Sequence, residues 1–344
     1  MLTNCKIKNF RNITSLSQSF TTGLNNVIGD NGSGKTSLLE ALFTAGNAKS
    51  FRTNQIKECI KKEQDSFQLN ISNSNGIEQA IEVSRSHRSI YIDQQKPERL
   101  SQFLNINTIL AITPEDQDLV SSNSQQRRKF IDRGVFEEDQ NYLSYIAYYQ
   151  RIVKNRNALL RQSTHHDLPY WNHLLCEYSQ KIHEYRSDYI NRLQELIKLI
   201  TLEIGYPHKV KITYLPAKQG EYRNKKTMLT ALEEKYNDEV RYGYTLLGIH
   251  RDNIQLTLNN LPVSKYASFG QKKTVAVILK LAQAQLMCEK KREPVLLIDD
   301  LAAGLDIVTQ EKLLSILKQY TQVIMSALPG EYNNTDFTNT FYLS

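Results

Sequence analysis

At 344 residues, with 40% apolar and 23% charged residues, the chain has an ordinary globular composition and can bury a full core in one large domain or two. It carries 43 basic and 36 acidic residues, a net charge of +7 that admits nucleic acid as a partner without requiring it. Cys5, Cys59, Cys176 and Cys288 are too scattered for metal or redox pairs, and MLTNCKIKNFRN lacks a signal-peptide core. No window approaches the about 18 apolar residues of a membrane span, so a cytoplasmic chain without a membrane partner is expected.

The first informative stretch, LNNVIGDNGSGKTSLLEALFT at 24–44, runs from β-compatible Val27 and Ile28 through a glycine-rich turn. A helical pattern follows at Leu38, Leu39, Leu42 and Phe43. This is the strand, GxxxxGKT loop and helix that phosphate binding requires. Gly29, Asp30, Asn31, Gly32, Ser33 and Gly34 form the loop, whose glycines let backbone N–H groups turn inward around phosphate. The helix N-terminus adds partial positive charge. Lys35 is expected to reach the β- and γ-phosphates of ATP, and the Thr36 hydroxyl to bind Mg²⁺. Residues 67–93 alternate with period two around an SNG turn, which predicts an antiparallel sheet beside the loop.

From about 125 to 205 the pattern becomes helical and polar. One stripe runs through Leu143, Ile146, Tyr149 and Ile152 or Val153. A longer one runs through Trp171, Leu174, Tyr178, Ile182, Tyr185, Tyr189, Leu193, Leu196 and Ile200, on a helix of roughly eight or nine turns. STHHDLP joins them into a helical hairpin whose aromatic stripe reads as core. His165, His166 and His173 read as polar rather than as a metal set, since no fourth ligand is apparent. Arg127, Arg128, Lys129, Arg151, Lys154, Arg156 and Arg161 gather at the start of this lobe. Arg127, Arg128, Arg151, Lys154 and Arg161 are the candidates for DNA contact; the last three share one helical face and suit DNA phosphates rather than bases. Arg223, Lys225 and Lys226 read as solvated loop. Strand signals return at 209–215 and 254–258, followed by an Asn259-Asn260 turn and a short strand at PVSKY.

YASFGQKKT at 266–274 precedes a helix that is apolar almost all round, from Val275 to Leu286. Ser268 is a plausible N-cap, Gly270 allows close backbone approach, and a buried helix so begun is an anion site. The phosphate loop already occupies the near side of its own nucleotide. This second site therefore faces a nucleotide held elsewhere, most simply by another copy, which implies an ATP-dependent homodimer. VLLIDD at 295–300 then reads as a central strand buried on both faces. Asp299 is expected to hold Mg²⁺ with Thr36, and Asp300 to polarise the attacking water.

Together, Gly29–Thr36, the Ser-x-Gly-Gln of Ser268, Phe269, Gly270 and Gln271, and LLIDDLAAGLD resemble an ABC-type ATPase head of the SMC-like branch. KIKNFRN at 6–12, KSFR at 49–52, ITPEDQDLV at 112–120, RRKFIDRGVF at 127–136, RNALL at 156–160 and GIHRDNIQL at 248–256 narrow the resemblance to the RecF recombination-repair family. It implies an α/β head with an antiparallel β subdomain and an inserted helical lobe. The expected segments are 1–120 and 207–344 for the two halves of the head, and 121–206 for the lobe. It also implies a DNA-binding dimer with slow, DNA-stimulated ATP hydrolysis, acting with RecO and RecR in RecA loading at gaps and in SOS induction. Residue by residue, it adds Arg52 to the ATP site, Ser268 and Gly270 to the γ-phosphate of the opposite subunit, and Asp306 to an interface loop. Phe269 replaces a common Gly, Asp300 a common Glu, and Ser326 stands where many ABC heads carry a switch His. A transporter ATPase subunit and a non-hydrolysing ATP-binding scaffold are the alternatives.

Overall fold

The computed structural model describes residues 1–343 apart from 122, 163–165, 218–221, 223, 303 and 333–336. His165 and Arg223 lie outside the described residues. Two compact units form. The first comprises 1–117, 203–206 and 269–344, and the second 118–202 and 207–268. Residues 207–268, expected with the ATPase head, group instead with the helical segment.

The first unit opens with a hairpin of β1 (Leu2–Phe10) and β2 (Ile13–Ser19), then β3 (Gly23–Gly29) and helix α1 (Lys35–Asn47). The period-two region forms β4 (Ser66–Asn73), β5 (Glu78–Ser84) and β6 (Arg88–Ile92), and these extend the hairpin into an antiparallel sheet ordered β2-β1-β4-β5-β6. A short α2 (Leu100–Leu104) leads to β7 (Ile109–Ile112). α1 packs against β4 and β5 on one side and β7 and β12 (Gln322–Ala327) on the other, and Leu38, Leu39 and Leu42 are fully buried there.

Between them, α3 (Gln117–Ser121), α4 (Ser124–Glu138), α5 (Tyr142–Leu160) and α6 (Leu168–Glu203) lead to β8 (Val210–Leu215) and α7 (Lys225–Tyr242). α6 has 36 residues, about ten turns, rather more than its stripe suggests. Lys225 and Lys226 begin α7 instead of lying in a loop. β9 (Asn253–Leu258) pairs with β8 and β10 (Leu261–Pro262), and Asn259 and Asn260 both take positive φ in the tight turn. The expected PVSKY strand is confined to β10; Val263–Tyr266 form helix α8. The second unit buries charge. Arg156 and Glu239, both fully buried, pair at 2.5 Å, and Arg186 lies between Asp132 at 2.8 Å and Asp252 at 3.6 Å. Leu143, placed on the core stripe from sequence, is 40% exposed, and Arg186 and Ser179 occupy the buried face of α6.

Returning to the first unit, α9 (Phe269–Glu289) buries Val275 through Leu286 almost without break. β11 (Val295–Ile298), α10 (Ile307–Leu317) and β13 (Asn339–Leu343) complete a parallel sheet ordered β13-β3-β12-β11-β7. β11 is buried throughout, as an apolar central strand should be. The carboxyl ends of β3, β11 and β12 share one edge of this sheet, the side where open parallel sheets take ligands. Among the described residues no helix is long and apolar enough to cross a membrane, and no three His, Cys, Asp or Glu cluster as a metal set. All four cysteines are free.

Candidate nucleotide site

The loop between β3 and α1 is shaped by its glycines. Gly32 and Gly34 take φ of 88° and 104°, the left-handed region that a side chain opposes. Lys35 Nζ donates to the carbonyls of Gly29 at 2.6 Å and Asp30 at 2.9 Å, so its ammonium spans the loop. Asn12, from the KIKNFRN stretch, donates Nδ2 to the Gly32 carbonyl at 3.0 Å and braces the loop from the β1–β2 turn.

Across the edge, Asp299 follows β11 and is 7% exposed. The Thr36 hydroxyl donates to its two oxygens at 2.9 and 3.1 Å, and Ser326 Oγ donates at 2.8 Å. Burial raises the Asp299 carboxyl above its ordinary range, while the Ser326 and Thr36 hydrogen bonds act in the opposite sense. Asp300 is exposed, with φ of 51°, and its N–H donates to Ser326 Oγ at 3.0 Å. Ser326, at the position where many ABC heads carry a switch His, therefore links the two aspartates. A cavity of about 430 Å³ is lined by Asn12, Lys35, Thr36, Arg52, Asp299 and Glu331 among others. Cavities of about 460 and 760 Å³ elsewhere lack a glycine-rich loop.

Arg52 faces this cavity, with Glu115 at 3.6 Å and the fully buried Glu40 at 3.7 Å. Glu40 also accepts two hydrogen bonds from Arg11, at 2.7 and 2.9 Å, and one from Ser50 at 2.5 Å. Ser50 Oγ in turn accepts the N–H of Arg52 at 2.9 Å and of Thr53 at 3.1 Å. Phe51 packs edge-to-face on Phe43 of α1. Sequence reasoning missed the Glu40 node, whose only trace was a Glu on the face of an otherwise apolar helix.

Ser268 directly precedes α9, and Phe269, Gly270 and Gln271 form its first turn. Phe269 is 68% exposed. A Cβ on Gly270 would meet the Gly304 carbonyl oxygen at 2.9 Å, so the expected close approach is real and is made to the loop after β11. Asp306 caps α10, accepting from Thr309 N at 2.9 Å and Thr309 Oγ1 at 2.7 Å.

The candidate DNA residues divide. Arg127 and Arg128 are half-buried and donate to the carbonyls of Ile254 and Asp252, both at 2.5 Å, so the fold itself uses them. Burial lowers the pKa of both. Arg151, Lys154 and Arg161 are exposed along and just beyond α5, and Arg161 Nε donates to Gly243 O at 3.1 Å. A feature missed from sequence adjoins it. Tyr242 and Tyr244 stack at 5.8 Å, with Arg241 at 4.6 Å over the first ring and Arg251 at 5.0 Å over the second.

A five-stranded parallel sheet, a phosphate loop bonded to an aspartate just beyond β11, which β12 separates from β3, and a flanking antiparallel sheet define a P-loop ATPase head of the ABC/SMC type. A profile described as the RecF/RecN/SMC N terminal domain matches residues 1–336. The chain is 34% identical to the DNA replication and repair protein RecF of Colwellia psychrerythraea, covering 93% of this chain and 86% of that protein. It is 31% identical to that of Vibrio vulnificus, covering 94% and 91%. It belongs to the RecF family. A solved structure of the recombination mediator protein RecF with ATP superposes with a TM-score of 0.90 at 24% identity, covering 100% of this chain and 97% of that one. An Smc head bound to the C-winged helix domain of ScpA gives 0.54 at 12% identity, covering 95% and 89%. These likenesses establish the fold.

Proposed function

We propose that this chain is an ATP-dependent DNA-binding protein of recombinational repair and replication restart. ATP drives its dimerisation on DNA, and slow hydrolysis, stimulated by DNA, releases it. The observation that carries this reading is the Thr36–Asp299 contact, which joins the phosphate loop to a buried carboxylate beside an open cavity. These two oxygen donors suit Mg²⁺, a hard cation that keeps most of its waters, and the ion would neutralise charge on the β- and γ-phosphates. Lys35 exchanges its loop carbonyls for phosphate oxygens, and the loop N–H groups bind the remainder. Asp300 orients and polarises the attacking water. Ser268 through Gln271 meet the γ-phosphate held by a second copy, with Asp306 in the loop that crosses to it. RecO- and RecR-type mediators are the partners, in support of RecA loading at gaps and SOS induction; the family relatives' description as replication and repair proteins supports the assignment.

For DNA, Arg151, Lys154 and Arg161 are joined in this reading by Arg241 and Arg251, whose guanidinium planes are pre-set on tyrosine faces. Exposed cations of this kind bind backbone phosphates with little regard to sequence. The experiment is Lys35→Met in the full chain. ATP binding should be lost by calorimetry while the circular dichroism spectrum is kept. Unchanged nucleotide affinity in a folded variant would sink the assignment. DNA binding by the wild type is measured with and without ATP in the same series.

A further inference from the structure

Asp300 carries a backbone conformation that an L-residue adopts reluctantly. Its φ is 51°, in the left-handed region. Such a residue persists where its surroundings over-determine it. Here both of its backbone groups are held. The N–H donates to Ser326 Oγ at 3.0 Å, and the carbonyl accepts from Lys273 Nζ at 2.6 Å. Neither bond engages the carboxylate, which is left to line the nucleotide cavity.

Lys273 is an unusual anchor. It is 5% exposed, and a buried ammonium needs an acceptor to offset its lost hydration. It stands one turn after Phe269 on α9, so both residues share a helix face. That face meets the loop after β11 at several points. A Cβ built on Gly304, whose φ is 76°, would lie 3.6 Å from the Phe269 ring, and Gly270 closes on the Gly304 carbonyl. The start of α9 thus packs on Gly304 and, through Lys273, holds Asp300.

We propose that Lys273 is a positioning residue, fixing the Asp300 backbone so that the carboxylate is tied to the helix end formed by Phe269, Gly270 and Gln271. The inference rests on the reading of Asp300 as the group that polarises water, and deepens it. The helix end that would meet a second copy's nucleotide is the same piece that sets Asp300 in its own site. Docking at that end is thereby transmitted to the first site through Lys273.

The test is steady-state and single-turnover ATP hydrolysis by the full chain, with ATP affinity measured separately. Lys273→Met keeps the aliphatic stem and removes the donor. Its kcat should fall about tenfold or more, with ATP Kd within about twofold of wild type. Lys273→Arg, which keeps a donor, should recover most of the loss. Combined with Asp300→Asn, Lys273→Met should add no more than about a further twofold, because both act on one group. Lys273→Gln, too short to reach, replaces Lys273→Met if the latter does not fold. A kcat unchanged in a folded Met or Gln variant overturns the inference. So do equal losses in kcat and affinity, or losses that multiply with Asp300→Asn. If Lys35→Met removes ATP binding while Lys273→Met changes nothing, the inference fails and the ATPase reading stands. If the wild type neither binds nor hydrolyses ATP, both fail.

Discussion

The Glu40 node offers the most quantitative test of how this fold supports its site. Glu40 is fully buried on α1, and Arg11 supplies two of its hydrogen bonds, at 2.7 and 2.9 Å. Arg11→Met removes the cation and leaves the carboxylate inside. Breaking a buried ion pair from one side costs about 3–5 kcal/mol. The Arg11 side chain is 22% exposed, so solvent screens part of the pair. Ser50 at 2.5 Å and Arg52 at 3.7 Å remain as partners for the carboxylate. A loss of about 2–3 kcal/mol is therefore expected, less than the full penalty. Trp171 belongs to the second unit and does not report this one. Hydrogen exchange of the α1 amides does, and should quicken by roughly 30- to 140-fold, at 1.4 kcal/mol per factor of ten. Adding Glu40→Gln, which replaces the stranded charge with a neutral amide, should return part of the loss. A change below about 0.5 kcal/mol would refute the expected loss and mean that Arg52 or water already satisfies Glu40. Because Ser50 ties Glu40 to the Arg52 backbone, Arg11→Met should also weaken ATP binding.

Three further outcomes follow from particular contacts. Burial holds His250 down at about 4, with its ring bonded to Tyr149 and Thr245 and with Arg251, Arg128 and Arg156 nearby. A depressed histidine adds stability that is complete above about 6.5 and lost as pH falls toward 4, up to about 3 kcal/mol; urea unfolding followed by Trp171 fluorescence at pH 7 and pH 5 measures it, and His250→Gln should flatten the profile. Ser268→Arg should leave monomer ATP binding near normal and block ATP-driven dimerisation. Mixing it with Lys35→Met should restore partial association, read by light scattering, and loss of monomer binding would refute a site in trans. Arg161→Gln and Arg251→Gln should each lower the salt slope of DNA binding by about 0.9, as expected when one phosphate contact is lost; an unchanged slope removes that residue from the surface.

Much of the first unit is legible because its signals are local. The phosphate loop follows β3 and opens α1 within a dozen residues, and its glycines are demanded by backbone geometry. The apolar run of β11 and the all-round apolar α9 declare their burial directly. The second unit is harder, because its decisive partners are remote. Arg127 and Arg128 look like surface cations in a polar helix, yet their acceptors lie 127 and 124 residues away on and beside β9. Arg186 sits on the buried face of α6 because Asp132 and Asp252 meet it there, and neither is adjacent in sequence. VSKY has strand-forming residues at its ends, but it turns as helix α8 once β10 ends. Lys273 lay in plain view in GQKKT. Nothing local marks it as different from Lys272; only the loop that folds onto α9 separates a buried anchor from a neighbour of the same type.

The aspartate at position 300 shows how a local constraint can select a side chain. Many heads of this class resemble the chain but carry Glu there. At a φ of 51° the backbone favours residues that tolerate the left-handed region, and Asp is enriched there while longer side chains are not. The conformation is fixed from both sides, by Ser326 at the end of β12 and by Lys273 on α9. Ser326 can act so because its hydroxyl both donates to Asp299 and accepts from Asp300, which an imidazole cannot do through one atom. The Ser at 326 and the Asp at 300 are therefore one substitution in physical terms: a hydroxyl that holds the backbone, and a short carboxylate that the held backbone accommodates. On the reading in which Asp300 polarises water, its shorter reach weakens that contact, and a slow turnover follows from the same geometry that keeps the loop in place.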